Sequence, residues 1–304
     1  MKIGVPKEIK IDEYRVGMTP ASVREAVEHG HEVVVETGAG GAVDAGDEDY
    51  RAAGARIAAG GEEVYRSAEL VIKVKEPQPH ECTLLRPDQV LFCYLHLAAD
   101  PAQAGLLRSS GCTAIAYETI TDNRGGLPLL APMSEVAGRM SIQVGAAALE
   151  REHGGRGVLL GGVPGTPRAR VVIFGGGVVG SNAARVAIGM GAEVTVFDKS
   201  MSRLQYLDDI FGTAINTRFS TTHAAEEAIA DADLVIGAVL VPGAVAPKIV
   251  TKRLLATMKK GAVLVDVAID QGGCFETSHP TTHSQPTFIV DGIVHYCVAN
   301  MPGA

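Results

Sequence analysis

The sequence predicts an α/β protein with two doubly wound parallel-sheet domains and a cleft between them, and three observations lead to this prediction. The chain has 304 residues, which is more than a single hydrophobic core usually covers. Short runs of Val, Ile and Leu alternate with helical patterns, as the buried strands of a parallel sheet do. The 36 glycines, beside an aromatic content of only 5%, suit many tight turns between strands and helices.

The first domain is predicted to span residues 1–131 and to begin with a βαβ unit. Thr19 is typical of a helix N-cap, Pro20 suits the first helical position, and Gly30 ends the helical pattern. The apolar runs that predict its strands are KIGV (2–5), EVVVE (32–36), LVIKV (70–74), VLFCYL (90–95) and TAIAYE (113–118).

The second domain is predicted to span residues 132–304, and its first element is an Ala-rich helix over 132–152 that links the two domains. Its predicted strands are RVVIF (170–174), EVTVF (193–197), LVIGAV (234–239), AVLVDVAI (262–269) and IVHYCVA (293–299). Helical patterns between the strands cover residues 180–190, 201–211, 223–231 and 251–260.

Composition and charge exclude several classes of function. The 27 Lys and Arg residues against 35 Asp and Glu give a net charge of -8, which disfavours nucleic acid or an anionic membrane as a partner. No window approaches the roughly 18 apolar residues of a membrane-spanning helix, and the N-terminus lacks a signal-peptide pattern. The five cysteines show no CxxC spacing, so we expect free thiols in a cytoplasmic protein.

Metal-binding and hydrolase patterns are weak in this chain. The histidine pairs 29/31 and 279/283 lie in loop-like segments without a cysteine or an acid at ligand spacing, so no metal is expected. A Ser-His-Asp hydrolase is disfavoured because the sequence has no G-x-S-x-G motif.

A G-x-G-x-x-G motif with its first glycine at Gly175 indicates a dinucleotide site. The pattern alone is common by chance, and a glycine turn of purely structural use is the alternative, but this motif follows an apolar strand and opens a helix. Gly175 permits the turn, Gly177 lets the backbone approach a pyrophosphate, and Gly180 lets helix and strand pack closely. Asp198 ends the next strand and suits the ribose hydroxyls, so NAD is favoured over NADP and the domains are predicted to be Rossmann-like.

Three polar residues follow apolar strands at the edge where open α/β sheets bind ligands. They are Lys75, His96 and Asp270. Taken alone, each is more typical of a solvated residue at the start of a loop than of a ligand-binding group. Together they suggest an ammonium for a carboxylate, an imidazole for proton transfer and an acid beside a nicotinamide. Arg15, in a polar loop before the first helix, adds a guanidinium that suits a carboxylate.

The chain resembles the NAD-dependent alanine dehydrogenases of the alanine dehydrogenase and transhydrogenase N-terminal family. Blocks in the same order carry the resemblance over the whole chain: MKIGVPKEIK, EYRV (13–16), VKEP (74–77), YLHLAAD (94–100), APMSEVAGR (131–139) and DVAIDQGGC (266–274). The implied reaction is the reversible oxidative deamination of L-alanine to pyruvate and ammonia with NAD. The implied protein is a cytoplasmic homo-oligomer, a hexamer, with small-molecule substrates and no membrane or nucleic-acid partner.

The resemblance also implies a role for individual residues. Arg15 and Lys75 hold the substrate carboxylate or carbonyl, while His96 and Asp270 are the catalytic pair. The implied cofactor contacts, beyond the glycines, are Ser134, Val178, Val179, Asp198, Arg203, Ser220, Val239, Leu240, Val267, Ala268, Ile269, Asp270, Val298, Ala299, Asn300 and Met301.

Two departures from the family pattern leave alternatives open. His279 stands where the family usually has an arginine that helps to bind the cofactor. Family members also continue beyond residue 304 through C-terminal helices that pack on the first domain, so without them we expect a weaker first domain or an exposed apolar patch. The alternatives are a nucleotide-binding subunit of a transhydrogenase, a noncatalytic NAD-binding protein and, nearer in chemistry, a lysine or saccharopine-type dehydrogenase.

Overall fold

The computed structural model describes residues 1–98, 100–239 and 246–303. The chain divides into two compact units, the first comprising mainly Met1–Leu130 and the second Ala131–Pro302. Each unit is a parallel or mostly parallel sheet with helices in the crossovers, so the predicted α/β class is confirmed.

The first unit contains six parallel strands in the order β3-β2-β1-β4-β5-β6. The strands are β1 (Lys2–Val5), β2 (Glu32–Glu36), β3 (Arg56–Ala58), β4 (Leu70–Ile72), β5 (Val90–Cys93) and β6 (Thr113–Ala116). The helices are α1 (Pro20–Glu28), α2 (Asp47–Ala52), α3 (Gly61–Ser67), α4 (Pro79–Cys82) and α5 (Pro101–Ser110). This order reverses direction between β1 and β4, as in a doubly wound sheet.

The predicted βαβ start is confirmed. The Thr19 side chain accepts a hydrogen bond from the Ser22 backbone N–H at 3.3 Å, and Pro20 occupies the first helical position of α1. Gly30 follows the helix with a φ of 79°, a left-handed conformation that glycine adopts without strain. Strands β1 and β2 then pair in parallel register over their buried centres.

The second unit contains seven strands in the order β12-β13-β11-β10-β7-β8-β9, parallel except for β12 against β13. The strands are β7 (Arg170–Phe174), β8 (Glu193–Asp198), β9 (Ile215–Phe219), β10 (Leu234–Gly237), β11 (Val263–Asp266), β12 (Thr287–Val290) and β13 (Ile293–Tyr296). The helices are α6 (Ala131–Ala148), α7 (Val178–Gly189), α8 (Met201–Phe211), α9 (Thr222–Asp231) and α10 (Lys252–Leu255). Here the order reverses direction between β7 and β10.

Helices α6 and α7 pack very closely because small residues face each other. A Cβ on Gly138 would lie 2.3 Å from the Val179 carbonyl oxygen, and a Cβ on Gly145 would lie 2.7 Å from the Leu234 side chain. A larger residue at Gly138 requires a backbone shift, and one at Gly145 requires the Leu234 side chain to move. The small residues of the Ala-rich segment that predicted this helix therefore allow it to pack closely against α7 and β10.

Several predicted elements are shorter than their apolar runs. The strands predicted to end at residues 74, 95, 239, 269 and 299 end at Ile72, Cys93, Gly237, Asp266 and Tyr296. The helix predicted over 251–260 covers only Lys252–Leu255. Apolar residues mark burial, and burial continues beyond the point where the sheet hydrogen bonds stop.

Candidate functional site

The first unit places the predicted substrate residues after neighbouring strands. Arg15 lies in the loop after β1, Lys75 follows β4 and His96 follows β5. The carboxyl ends of parallel strands share one edge of the sheet, and β1 and β4 flank its direction reversal. The strands end earlier than predicted, so Lys75 and His96 lie in the loops that follow them. The backbone N–H groups of these two residues therefore need hydrogen-bond acceptors outside the sheet.

The Arg15 segment is held by the carboxylate of Glu13. The Glu13 side chain is buried, and its Oε1 accepts the backbone N–H of Arg15 at 2.9 Å and the guanidinium Nε at 2.8 Å. Its Oε2 accepts from Nη2 at 2.6 Å. This bidentate ion pair fixes the plane of the guanidinium, which has five N–H donors in all.

The Lys75 segment is held by a buried network of charges. Glu8 Oε1 accepts the backbone N–H of Val74 at 2.6 Å and that of Lys75 at 3.4 Å. The ammonium of Lys73 lies 3.2 Å from Glu8 Oε2 and 2.8 Å from Glu81 Oε1, and its side chain is fully buried. Burial lowers the pKa of Lys73, but the two carboxylates outweigh it, so the pKa is raised above its usual value. Burial raises the pKa of Glu8 despite the opposing charge of Lys73.

The His96 segment is held by Glu118 and Tyr94. Glu118 Oε1 accepts the backbone N–H of His96 at 2.6 Å and that of Leu95 at 3.1 Å. The Tyr94 ring stacks near His96, with centroids 5.9 Å apart, and its hydroxyl donates to the Leu129 carbonyl. Burial raises the pKa of Tyr94, and the charge of Arg15 acts in the opposite direction, so Arg15 is within electrostatic range of this aromatic pair.

In the second unit the glycine motif forms a tight turn between β7 and α7. Gly175 has a φ of 99°, and a Cβ there would lie 2.5 Å from the Ala238 carbonyl oxygen. A Cβ on Gly180 would lie 1.8 Å from the Gly175 carbonyl oxygen, so helix and turn are in direct contact. Gly177 differs from both, because a Cβ there would meet no described atom within 4 Å. The space beside Gly177 is the kind of cradle that a pyrophosphate fills at a helix N-terminus.

Asp198 and Arg203 brace this turn. Asp198 Oδ2 accepts the Gly176 backbone N–H at 2.8 Å, and Oδ1 accepts that of Ser200 at 2.8 Å. Arg203 donates to the Gly176 carbonyl and to Ser181 Oγ. A carboxylate oxygen can accept two hydrogen bonds, so each oxygen of Asp198 can accept a further one from a ribose hydroxyl at the end of β8. Ser220 follows β9 and donates its backbone N–H to the Asp198 carbonyl at 3.0 Å.

Asp270 does not end a strand as predicted, because β11 ends at Asp266. Asp270 lies on a 3-10 turn over Ile269–Gln271, and the buried carboxylate of Asp266 organises the loop around it. Asp266 accepts the backbone N–H of Ala268 at 3.1 Å and that of Cys274 at 2.9 Å, and also the Ser278 hydroxyl. Burial raises the pKa of Asp266, and the Ser278 and Cys274 hydrogen bonds partly offset this rise.

The remaining predicted cofactor residues lie in several segments of the second unit. Ser134 is in the first turns of α6, Val178 and Val179 start α7, and Val239 follows β10. Leu240 lies outside the described residues. Residues 267–269 lead into the Asp270 turn, and residues 298–301 follow β13, where Asn300 has a φ of 65°. The His279 ring stacks on Phe288 with centroids 3.7 Å apart.

Sequence reasoning missed four carboxylates that hold the candidate residues, namely Glu8, Glu13, Glu118 and Asp266. A signal was present only for Asp266, a lone acid inside the apolar run AVLVDVAI. A buried acid without a partner is costly, so such a residue implies nearby donors. In the described residues, no group of three or more His, Cys, Asp and Glu side chains is arranged to hold a metal ion.

Comparison with known proteins places this architecture in one family. The model of the alanine dehydrogenase/PNT N-terminal domain matches residues 4–137, and that of the alanine dehydrogenase/PNT C-terminal domain matches residues 141–304. The chain belongs to the alanine dehydrogenase/PNT family. The alanine dehydrogenase of Halomonas elongata is 60% identical over 304 residues, which cover the whole chain and 82% of that relative. The alanine dehydrogenase of Bacillus subtilis is 56% identical over 305 residues, which cover the whole chain and 80% of that relative.

Solved structures agree with the family assignment. An L-alanine dehydrogenase superposes with a TM-score of 0.93 at 54% identity, over the whole chain and 84% of that structure. A transhydrogenase from Sinorhizobium meliloti gives a TM-score of 0.84 at 26% identity, over the whole chain and 88% of that structure. Among the described helices of this family member, none is long and apolar enough to cross a membrane.

Proposed function

We propose that this chain is an NAD-dependent alanine dehydrogenase, which converts L-alanine, NAD⁺ and water reversibly into pyruvate, ammonium, NADH and a proton. The observation that carries the proposal is the 60% identity to the Halomonas elongata alanine dehydrogenase across the whole chain. The transhydrogenase structure, at 26% identity, is a more distant relative than the L-alanine dehydrogenase structure at 54%.

The second unit fits the dinucleotide in this proposal. The N-terminus of α7 and the open space at Gly177 receive the pyrophosphate, since helix N-termini stabilise phosphate charge. Asp198 accepts the ribose hydroxyls and disfavours a 2′-phosphate, so NAD is used in preference to NADP. Ser134, Arg203, Ser220, Val239 and the segments 267–270 and 298–301 complete the proposed contacts, with Leu240 among them. Bound NAD supplies the acceptor for the hydride that leaves the substrate Cα.

The first unit holds the substrate in this proposal. Arg15 and Lys75 bind the carboxylate end of L-alanine and orient Cα, which removes much of the entropic barrier to the reaction. The carboxylates of Glu13 and Glu8 hold the backbone of these two residues, which anchors the loops that carry the two cations. A planar guanidinium and an ammonium suit a carboxylate by charge and by hydrogen-bond geometry.

His96 transfers the protons in this proposal, and Asp270 is the second residue of the catalytic pair. The ammonium group of L-alanine first loses a proton to solvent, and loss of the hydride then leaves an iminium ion. His96 takes a proton from the water that attacks the iminium carbon, which gives the carbinolamine. His96 passes this proton to the carbinolamine nitrogen so that ammonia leaves, takes the hydroxyl proton as the carbonyl of pyruvate forms, and releases that proton to solvent, a task that suits an imidazole. Asp270 stabilises positive charge and geometry beside the reacting carbon.

A spectrophotometric assay of NADH formation tests the proposal. We expect turnover with L-alanine and NAD, and a markedly lower kcat/KM with NADP because of the charge on Asp198. Folded, NAD-saturated protein without alanine turnover contradicts the proposal and favours a noncatalytic NAD-binding protein. Turnover of lysine or saccharopine in place of alanine favours the neighbouring class of dehydrogenase. A hydride exchange between two nicotinamide nucleotides without alanine favours the transhydrogenase subunit.

The setting of the enzyme is also part of the proposal. We assign residues 1–131 to substrate binding and catalysis and residues 132–304 to NAD binding, with a homo-oligomer, a hexamer, in the cytoplasm. Light scattering of the purified chain measures the oligomer. A monomer that turns over alanine contradicts the oligomer assignment alone and leaves the activity in place.

A further inference from the structure

The backbone of His96 adopts a conformation that is uncommon for a non-glycine residue. Its φ is 50°, in the left-handed region. His96 is half-buried and lies beyond the end of β5, so no strand pairing holds this conformation. Something else in the fold must select it, because an unconstrained loop relaxes to an ordinary conformation.

Glu118 provides that constraint. It lies on a short 3-10 helix, Tyr117–Thr119, directly after β6, the edge strand that pairs with β5. Its Oε1 is 2.6 Å from the His96 backbone nitrogen, and both of its carboxylate oxygens lie within 3.2 Å of the Leu95 nitrogen. Two consecutive N–H groups therefore point at one carboxylate. A charged acceptor of this kind makes stronger hydrogen bonds than a neutral one.

The same arrangement recurs at the other two substrate residues of the first unit. The backbone N–H of Arg15 is donated to Glu13, and that of Lys75 to Glu8. Glu13 also binds the side chain of its partner, and Glu8 belongs to the buried network around Lys73. The hydrogen bonds of Glu118 among the described residues are with the backbone N–H groups of Leu95 and His96, in the loop that carries the imidazole.

We propose that Glu118 is a positioning residue for His96, which fixes the left-handed backbone of the loop and thereby the direction of the imidazole. The proposal rests on the proposed function, because it assigns His96 the proton transfer. Tyr94 supports the ring from its side by stacking, with an interplanar angle of 13°. Glu118 itself touches neither substrate nor cofactor in this account.

The test compares kcat, KM and melting temperature among variants of the full chain. Glu118→Ala removes both acceptors, and we expect kcat to fall about 100-fold, the loss that a misplaced catalytic group produces. The KM for L-alanine should change much less, because Arg15 and Lys75 keep their own carboxylate anchors. Glu118→Gln keeps one acceptor oxygen and should retain kcat within about threefold.

Two further variants make the result decisive. Glu63→Ala is the matched control, because Glu63 also accepts a backbone N–H, from Ala59 at 3.1 Å, but at the opposite edge strand of the same sheet. It should leave kcat unchanged. Glu118→Asp keeps the charge but shortens its reach, and its kcat should lie between those of the Gln and Ala variants. If Glu118→Ala does not fold, a lower kcat in Glu118→Asp than in Glu118→Gln still tests the positioning role.

The outcomes separate this proposal from the function itself. If wild-type protein has no alanine turnover, the proposed function fails, and the positioning role that rests on it fails with it. If wild-type protein is active and Glu118→Ala retains its kcat, the positioning role is wrong. Equal losses in the Gln and Ala variants, in step with a lowered melting temperature, also overturn it, because they describe a merely structural role.

Discussion

The two units of this chain place their candidate ligand groups by different physical means. In the first unit, the loops that carry Arg15, Lys75 and His96 are held by backbone hydrogen bonds to buried or half-buried carboxylates. In the second unit, the turn after β7 is built from glycines and backbone groups, and its one acid, Asp198, also braces that turn. A small charged substrate needs a few precisely aimed side chains, whereas a pyrophosphate needs open backbone at a helix N-terminus.

The largest expected effect lies in the first unit, at its proposed proton-transfer residue. His96→Ala should lower kcat for alanine by about a thousandfold, as the loss of a general acid-base does. The second unit should not respond, so binding of NADH, followed by its fluorescence, should keep its affinity. A variant with near-normal kcat would show that another group transfers the proton. Weakened NADH binding would break the division of labour between the two units.

The buried charges of the first unit should dominate its stability. Lys73→Met leaves the carboxylates of Glu8 and Glu81 buried without their cation, which should reduce the free energy of unfolding by about 3 to 5 kcal/mol. Urea denaturation measures this value. Lys2→Met is the control, because the exposed Lys2–Glu32 pair at 3.9 Å should contribute less than about 1 kcal/mol.

The pH dependence of that loss has a definite sign. Without Lys73 the folded-state pKa of Glu8 rises further, so the variant gains stability as the pH falls and a proton binds to this carboxylate. The deficit should therefore shrink as the pH is lowered towards 4.5, the ordinary value for Glu8. In the wild type, the raised pKa of Lys73 means that its contribution persists below pH 10.5 and is lost only at higher pH. A deficit independent of pH would contradict the buried charge network.

The second unit offers a matched pair of glycines. Gly180→Ala puts a Cβ 1.8 Å from the Gly175 carbonyl oxygen and should cost about 2 to 3 kcal/mol of stability. Gly177→Ala meets no described atom within 4 Å, so its folding should change by less than about 1 kcal/mol. Its KM for NAD should nevertheless rise about tenfold, because the new methyl group fills space for the pyrophosphate. An unchanged KM for NAD in Gly177→Ala would contradict the assigned pyrophosphate position.

The smallest effect concerns the thiols, which both units bury. Burial raises the pKa of Cys82, Cys93 and Cys274, and raises that of Cys297 to about 12, so these thiols stay protonated and unreactive. Cys112 is only half-buried. Iodoacetamide should therefore modify mainly Cys112 in the folded chain and all five cysteines after unfolding, as mass spectrometry can show. Rapid modification of Cys297 in the folded chain would contradict its burial.

The sequence located the described interior strands of both sheets but only one of the four described edge strands, β6. The bounds of β1, β2 and β7 match their apolar runs, whereas the apolar runs of β4, β5, β10 and β11 continue beyond the ends of these strands. Strands β3 and β9 carry polar residues such as Arg56 and Asn216 and show no continuous apolar pattern. Edge strands gain their structure from pairing on one side, which a pattern of burial does not report.

The candidate site was predictable where a residue type has a fixed use in a motif. The glycines and Asp198 belong to such a motif, and His96 and Lys75 directly follow strongly apolar runs. Glu118 could not be predicted, because its partners are the backbone N–H groups of Leu95 and His96, and every residue except proline carries one. The strand pairing of β5 with β6 brings them together, and spacing in the sequence does not reveal that pairing.

The most direct test of the proposed function follows the hydrogen on the substrate Cα. The purified chain is incubated with NAD and L-alanine that carries deuterium at Cα, and the reduced nicotinamide is analysed by mass spectrometry together with the pyruvate formed. The account predicts one deuterium in each reduced nicotinamide and an equal amount of pyruvate. Reduced nicotinamide without deuterium, or pyruvate formed without reduction of NAD, would contradict direct hydride transfer from alanine.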